Sequence, residues 1–335
     1  MKKFGLFVLI LMLTGFIFGS KVVKIPDILK PTTIAVDDDQ LYITEAATIY
    51  IYSLKDFSLK KKFGKKGEGP QEFNVNPMRG IRLHIQPDQI IVDCQGKVAY
   101  YGKDGTFKKE MRSVPTFAQY MPLGEKFAGI GFAGDSKGGY IAVSIYDSHL
   151  KKEKEIHKMS VPNPEKDGIN PITVLTLPYL YTCDNKIFVG GKDGSIEAFD
   201  AGGQKLPPII KEYKKVKITQ EHKKKYIQFF STDQRFKAFY ERDKNRIGFS
   251  EYFPIVRNFH IEDKILYILT FREEDGKSEF LIYDINGKLL KTTLLPFEEM
   301  SPIALYPYTI KKGKLYQLID NPKTEEWELH ITEVR

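Results

Sequence analysis

A chain of 335 residues with 51 basic and 43 acidic side chains carries a formal net charge of +8, and 42% of it is hydrophobic. Two of those charges are Lys2 and Lys3, and the remaining lysines are interspersed with acids, so nucleic acid is not an expected partner. The length suits two ordinary domains or one large all-β domain, and internal repeats decide between them.

Lys2 and Lys3 precede an apolar run, residues 4–18, that stops at Gly19 and Ser20. This is the layout of a secretory signal peptide over residues 1–20. The run falls short of the roughly 20 residues that span a bilayer, and no comparable run follows. Cleavage after Gly19 or Ser20 is expected, with retention as an uncleaved anchor the alternative because Ile17 and Phe18 are bulky. No Cys lies nearby to accept a lipid. The mature chain, 21–335, is therefore expected in the periplasm or outside the cell, without a transmembrane segment.

From Pro31 onward, short apolar or alternating runs are broken by Asp, Asn, Gly and Pro. A worn unit at about 32–63 is followed by a clear one: G-I-R-L-H-I from Gly80, then Q-I-I-V-D, K-V-A-Y-Y and T-F-K-K-E-M. Another worn unit spans about 117–158. The next reads L-Y-T-C, K-I-F-V-G, S-I-E-A-F-D and K-L-P-P-I-I, with D-N, K-D-G and G-G turns between. The turn pairs matter because tight hairpins need positive φ, which Gly takes freely and Asn or Asp at modest cost. A fifth unit starts at I-V-R-N-F-H-I, and the last, about 301–334, offers only three runs.

Four short strands in meander order make one propeller blade, and such a sheet buries both faces only by radial stacking. The expectation is all-β: a six-bladed β-propeller of four-stranded antiparallel blades, with K-V-V-K-I (21–25) closing the last blade. Five or seven blades is the competing count. Residues 219–244 break the pattern, placing Tyr226, Phe229, Phe230, Phe236, Phe239 and Tyr240 at helical spacing, with Ser231 and Gln234 resembling a capping box between two short helices. This insertion is read as a cap on the propeller, or as a lid or docking surface over its central opening. Cys94 and Cys183 both end strand-like runs, where separate thiols or one disulfide fit; there is no C-x-x-C.

Residues 63–73, F-G-K-K-G-E-G-P-Q-E-F, precede N-V-N-P-M-R-G-I. The segment resembles the F-G-x-x-G-x-G-P-G-E-F motif of bacterial six-bladed propellers related to the NHL-repeat group. Phe63, Gly64, Gly67, Gly69, Pro70, Glu72 and Phe73 fit directly, and Pro77, Gly80 and Ile81 fit the start of the next blade. Gln71 stands where the pattern has Gly. The resemblance implies a propeller with a binding face and assigns no catalytic residue. Read from the residues alone, the glycines permit unusual backbone paths, and Phe63 and Phe73 pin the loop ends between blades. No G-K-[ST] or following helix supports nucleotide binding.

The six histidines show no short metal-ligand spacing. Propellers bring first strands from several blades to a central channel, which makes Arg82, His84, Arg257, Asn258 and His260 the candidate ligand-binding residues; solvent-facing or buried structural roles are the alternative. Asp37–Asp39 is read as a turn, as are Asp93, Asp184, Asp193, Asp200 and Asp284. No cofactor is expected, although bound calcium remains open without an EF-hand pattern. The reading is a secreted or periplasmic binding or scaffold module for a protein, peptide or anionic glycan. The alternative is a metal-dependent hydrolase or lyase using channel residues.

Overall fold

A computed structural model describes residues 20–75, 80–113, 119–136, 138–161, 168–174, 178–190, 194–210 and 213–334. The apolar segment read as a signal peptide falls on residues outside this set, as do Pro77 and Asp193. No helix among the described residues is long and apolar enough to cross a membrane.

The described strands form six antiparallel meander sheets, the blades of a six-bladed β-propeller, with two small extra pairings. The innermost strands are Pro31–Val36, Arg82–Ile85, Gln119–Leu123, Tyr179–Cys183, Asn258–Glu262 and Tyr308–Lys311. Among the described residues five blades, the sixth among them, are four-stranded and the fourth blade has three strands. The sixth is completed by Lys21–Ile25, which pairs with Glu326–Glu333 so that Lys21 faces Ile331 and Ile25 faces Trp327.

Turn chemistry follows the sequence closely. Asp184 and Asn185, at φ 53° and 57°, form the two-residue turn between Tyr179–Cys183 and Lys186–Gly190. Asp284 Oδ1 accepts from the Asn286 and Lys288 amides at 2.9 Å, closing the turn that follows its strand. Asp200 does the same for Gly202 and Gln204. Asp93 departs from its expected turn role. It lies buried within Ile90–Cys94, opposite Arg82, and accepts the Tyr120 amide at 3.0 Å.

The apolar core is divided into six clusters, one at each junction between neighbouring blades. Trp327 and Leu329 of the last blade pack with Leu41 and Ile43 of the first. Corresponding clusters join the first to the second blade, the second to the third, and so on to the fifth and sixth. Burial of apolar faces therefore runs continuously round the ring.

The fourth blade has three strands where four runs were expected. After Phe199 pairs with Lys205 and the Leu206 amide donates to Ala198 O, the ladder stops. Pro207 and Pro208 lack the amide hydrogens needed to continue it.

The insertion contains helix α1, Gln220–Thr232, helix α2, Lys237–Asp243, and a 3₁₀ turn at Lys244–Arg246. The capping box is at Thr219 and His222, not at Ser231. Ser231 is the penultimate residue of α1 and donates to Gln228 O at 3.0 Å. Tyr226 and Phe230 are buried with Phe253 in a seventh cluster that also contacts Phe271 and Ile303. The aromatic spacing thus serves to fasten the insertion to the propeller. Residues 213–257 contain 12 basic and 5 acidic side chains, so most of the chain's positive excess lies here, against the expectation of even mixing.

Candidate functional site

The motif loop and the channel solve different problems in the same blade. In the loop, Gly64 has φ +88°, and a Cβ there would meet the Phe73 ring at 2.5 Å and Ala47 O at 2.6 Å. Phe63 and Phe73 both pack on Tyr101, with ring centroids 4.6 and 6.1 Å away. Glu72 accepts the Gly69 amide at 3.0 Å and pairs with Lys65 at 2.9 Å. Beneath the loop, the Lys97 ammonium donates to Gly69 O at 2.7 Å and Glu72 O at 3.1 Å, and pairs with Glu110 at 3.2 Å. Gln71, in the position where the motif has Gly, is held at φ 59°. These contacts make the loop a joint between blades, and it is absent from the channel wall.

The axial cavity has a volume of about 370 Å³ and receives residues from all six innermost strands. Arg82, His84, Asn258 and His260 line it. In a six-bladed ring the second and fifth blades are opposite, so the Arg82/His84 pair faces the Asn258/His260 pair across the axis. Members of each pair are two residues apart and share one face of their strand.

Arg257 lies in the bend just before the strand Asn258–Glu262, close enough for its charge to act on Tyr179 and Tyr308 of the cavity wall. It does not line the cavity; its guanidinium pairs with Glu299 and lies 5.1 Å from the centroid of the Phe271 ring. Lys225 of α1 reaches the other oxygen of Glu299 at 3.7 Å, which fixes the insertion beside the end of the channel where the innermost strands begin.

Arg82 has no hydrogen bond or ion pair among the described residues; Asp93 acts on it only at longer range. Desolvation lowers its pKa, although a guanidinium remains charged. His84 is pushed down to about 3 by burial and then by the Arg82 charge, against a smaller opposing pull from the Tyr120 backbone carbonyl. Burial pushes His260 down to about 4. Its Nε2–H donates to Ile310 O at 3.1 Å. Both imidazoles are therefore neutral at neutral pH.

Sequence reasoning missed the aromatic half of the wall. Tyr179, Tyr181, Tyr306 and Tyr308 all line the cavity. The Tyr308 hydroxyl is buried without a partner, and its pKa is raised well above its ordinary value by burial. The available signal was the i, i+2 spacing in Y-L-Y (179–181) and Y-P-Y (306–308). Among the described lining residues Arg82 is the one charged side chain.

No group of three or more His, Cys, Asp or Glu among the described residues is placed to share a metal ion. Cys94 and Cys183 are separate free thiols.

The sheets and their axial cavity define the class: a six-bladed β-propeller with a polar, aromatic-walled channel. No protein-family model matches the chain, and no curated protein matches it. Among solved structures it is similar in outline to the computationally designed Ika8 protein, with 10% identity and a TM-score of 0.43 over 94% of this chain and 100% of that one. It is similar also to BBS1N in complex with ARL6DN, with 12% identity and a TM-score of 0.39 over 91% and 79% of the two chains. Likenesses this distant add nothing to what the six sheets show.

Proposed function

We propose that the chain is an exported binding module, related to the NHL-type propellers its motif resembles, that takes an anionic group of its ligand or partner in the axial channel. The carrying observation is Arg82: a half-buried cation facing a cavity, to which no carboxylate or carbonyl among the described residues hydrogen-bonds, Asp93 acting on it only at longer range. A buried charge left without partners is expensive, and a site that must receive an anion is a physical reason to keep one. The basic insertion beside the channel end adds a field that draws anions toward it. His84, Asn258 and His260 complete the polar wall, while Arg257 acts as a clamp between the insertion and the ring.

The test is a thermal-shift screen of small anions and acidic peptides against the purified protein and Arg82→Gln. Anions that raise the melting temperature of the parent should leave Arg82→Gln unmoved. Equal shifts in both proteins would place binding elsewhere and reject the channel.

A further inference from the structure

Resting on the channel reading above, we infer that the ligand's anchoring group is a single carboxylate on a small, largely apolar or aromatic body, and not a dianion such as a phosphate monoester or free sulfate. Three observations lead there.

The first is charge capacity. Arg82 is the one charged side chain among the described lining residues, so the wall neutralises one negative charge. The two histidines add nothing, because burial keeps both neutral until the pH falls to about 3 for His84 and about 4 for His260. A phosphate monoester or free sulfate dianion would bring a second charge that no cation among the described lining residues matches.

The second is shape. A guanidinium offers a planar fork of N–H donors that matches the two oxygens of a carboxylate. Nothing among the described hydrogen bonds occupies that fork.

The third is the rest of the wall. Tyr179, Tyr181, Tyr306 and Tyr308, with Leu83 and Met121, give the cavity a mainly apolar surface. That surface stabilises a flat or aliphatic body by burial and stacking. At about 370 Å³ the cavity suits a small molecule.

Isothermal titration of the purified protein with acetate, hexanoate, benzoate, 4-hydroxyphenylacetate, inorganic phosphate and sulfate tests the inference. The larger monocarboxylates should bind more tightly than acetate, and phosphate and sulfate should not bind. Arg82→Gln should weaken carboxylate binding by about 10- to 100-fold, as expected for losing a charge-assisted bidentate contact. Arg82→Lys, which keeps the charge and loses the fork, should fall between them. Circular dichroism of both variants establishes that the fold is intact.

Carboxylate affinity should stay flat between about pH 5.5 and 8, where neither channel histidine titrates. Arg82-dependent binding of phosphate or sulfate with no response to monocarboxylates would overturn this inference and leave the channel reading standing. If no anion in the panel bound in an Arg82-dependent way, both would fall.

Discussion

Two cations lie inside the second blade, Lys97 and Arg82, and they are treated in opposite ways. Lys97 is 8% exposed and has three oxygen partners, two of them carbonyls of the motif loop. Arg82, on the innermost strand of the same sheet, has none among the described residues and faces a cavity. The contrast separates a cation that the architecture uses from one to which the proposed function gives a role. A satisfied buried charge holds its neighbours in place, and removing it orphans them; an unsatisfied one beside open space leaves its bonding capacity for something that arrives later.

Truncating each cation in turn separates their roles most directly. Lys97→Ala leaves Gly69 O, Glu72 O and Glu110 without their ammonium, and should destabilise the fold by about 3–5 kcal/mol in urea unfolding. Arg82→Gln should change stability by no more than about 0.5 kcal/mol, or raise it, because no hydrogen-bond partner among the described residues is abandoned and Asp93 acts only at longer range. Equal losses in the two variants would mean that Arg82 is structural.

Acid sharpens the same distinction. His84 takes up its proton in the unfolded chain near its ordinary pKa of 6.5, but in the folded protein only at about 3. As pH falls below about 6.5, the unfolded state binds the proton first, so stability drops progressively toward pH 3. His260 acts in the same direction, down to about 4. The double variant His84→Gln/His260→Gln should therefore show a flatter melting-temperature profile between pH 6.5 and 4 than the parent. An identical slope would show that neither imidazole is held neutral by burial.

The smallest effect belongs to the motif loop. Gln71 adopts φ 59°, a conformation that L side chains resist, where the motif carries Gly. Gln71→Gly should stabilise the protein by up to about 1 kcal/mol and leave anion binding unchanged. A loss of stability would show that the Gln71 side chain contributes more than its backbone strain takes away.

Much of the fold was legible because hairpin chemistry is local. The D-N, D-G and N-G pairs mark turns wherever they occur, and the three-run final unit announced that Lys21–Ile25 had to supply its missing strand. The fourth strand expected in the fourth blade does not form because K-L-P-P-I-I, although apolar enough to look like a strand, holds Pro207 and Pro208, which cannot sustain its ladder. The helical cap was misplaced for a related reason. Ser231 and Gln234 fit the familiar pattern, whereas Thr219 uses His222 at a position where Glu or Gln is usual.

The channel was half legible. R-x-H and N-x-H stand out because charge and imidazole are unexpected on an innermost strand, and the structure brings all four residues to one cavity. Arg257 is next to Asn258 in sequence, yet it precedes the strand, and its guanidinium is taken by Glu299. The tyrosines passed unnoticed because an aromatic residue in a strand fits a blade junction as readily as an axis, and only the register separates the two.

The seam between Lys21–Ile25 and Glu326–Glu333 also imposes an order in time. Its partners lie at opposite ends of the described chain, so the ring is the most non-local contact the molecule makes. Individual blades are meanders that form from neighbouring residues, but the last sheet waits for both ends to meet, and loop-closure entropy makes that meeting slow. Until then the molecule is an open arc with two raw sheet edges. Folding of this propeller should therefore have a late step in which blades already formed are joined, and the seam, not any blade, sets its pace.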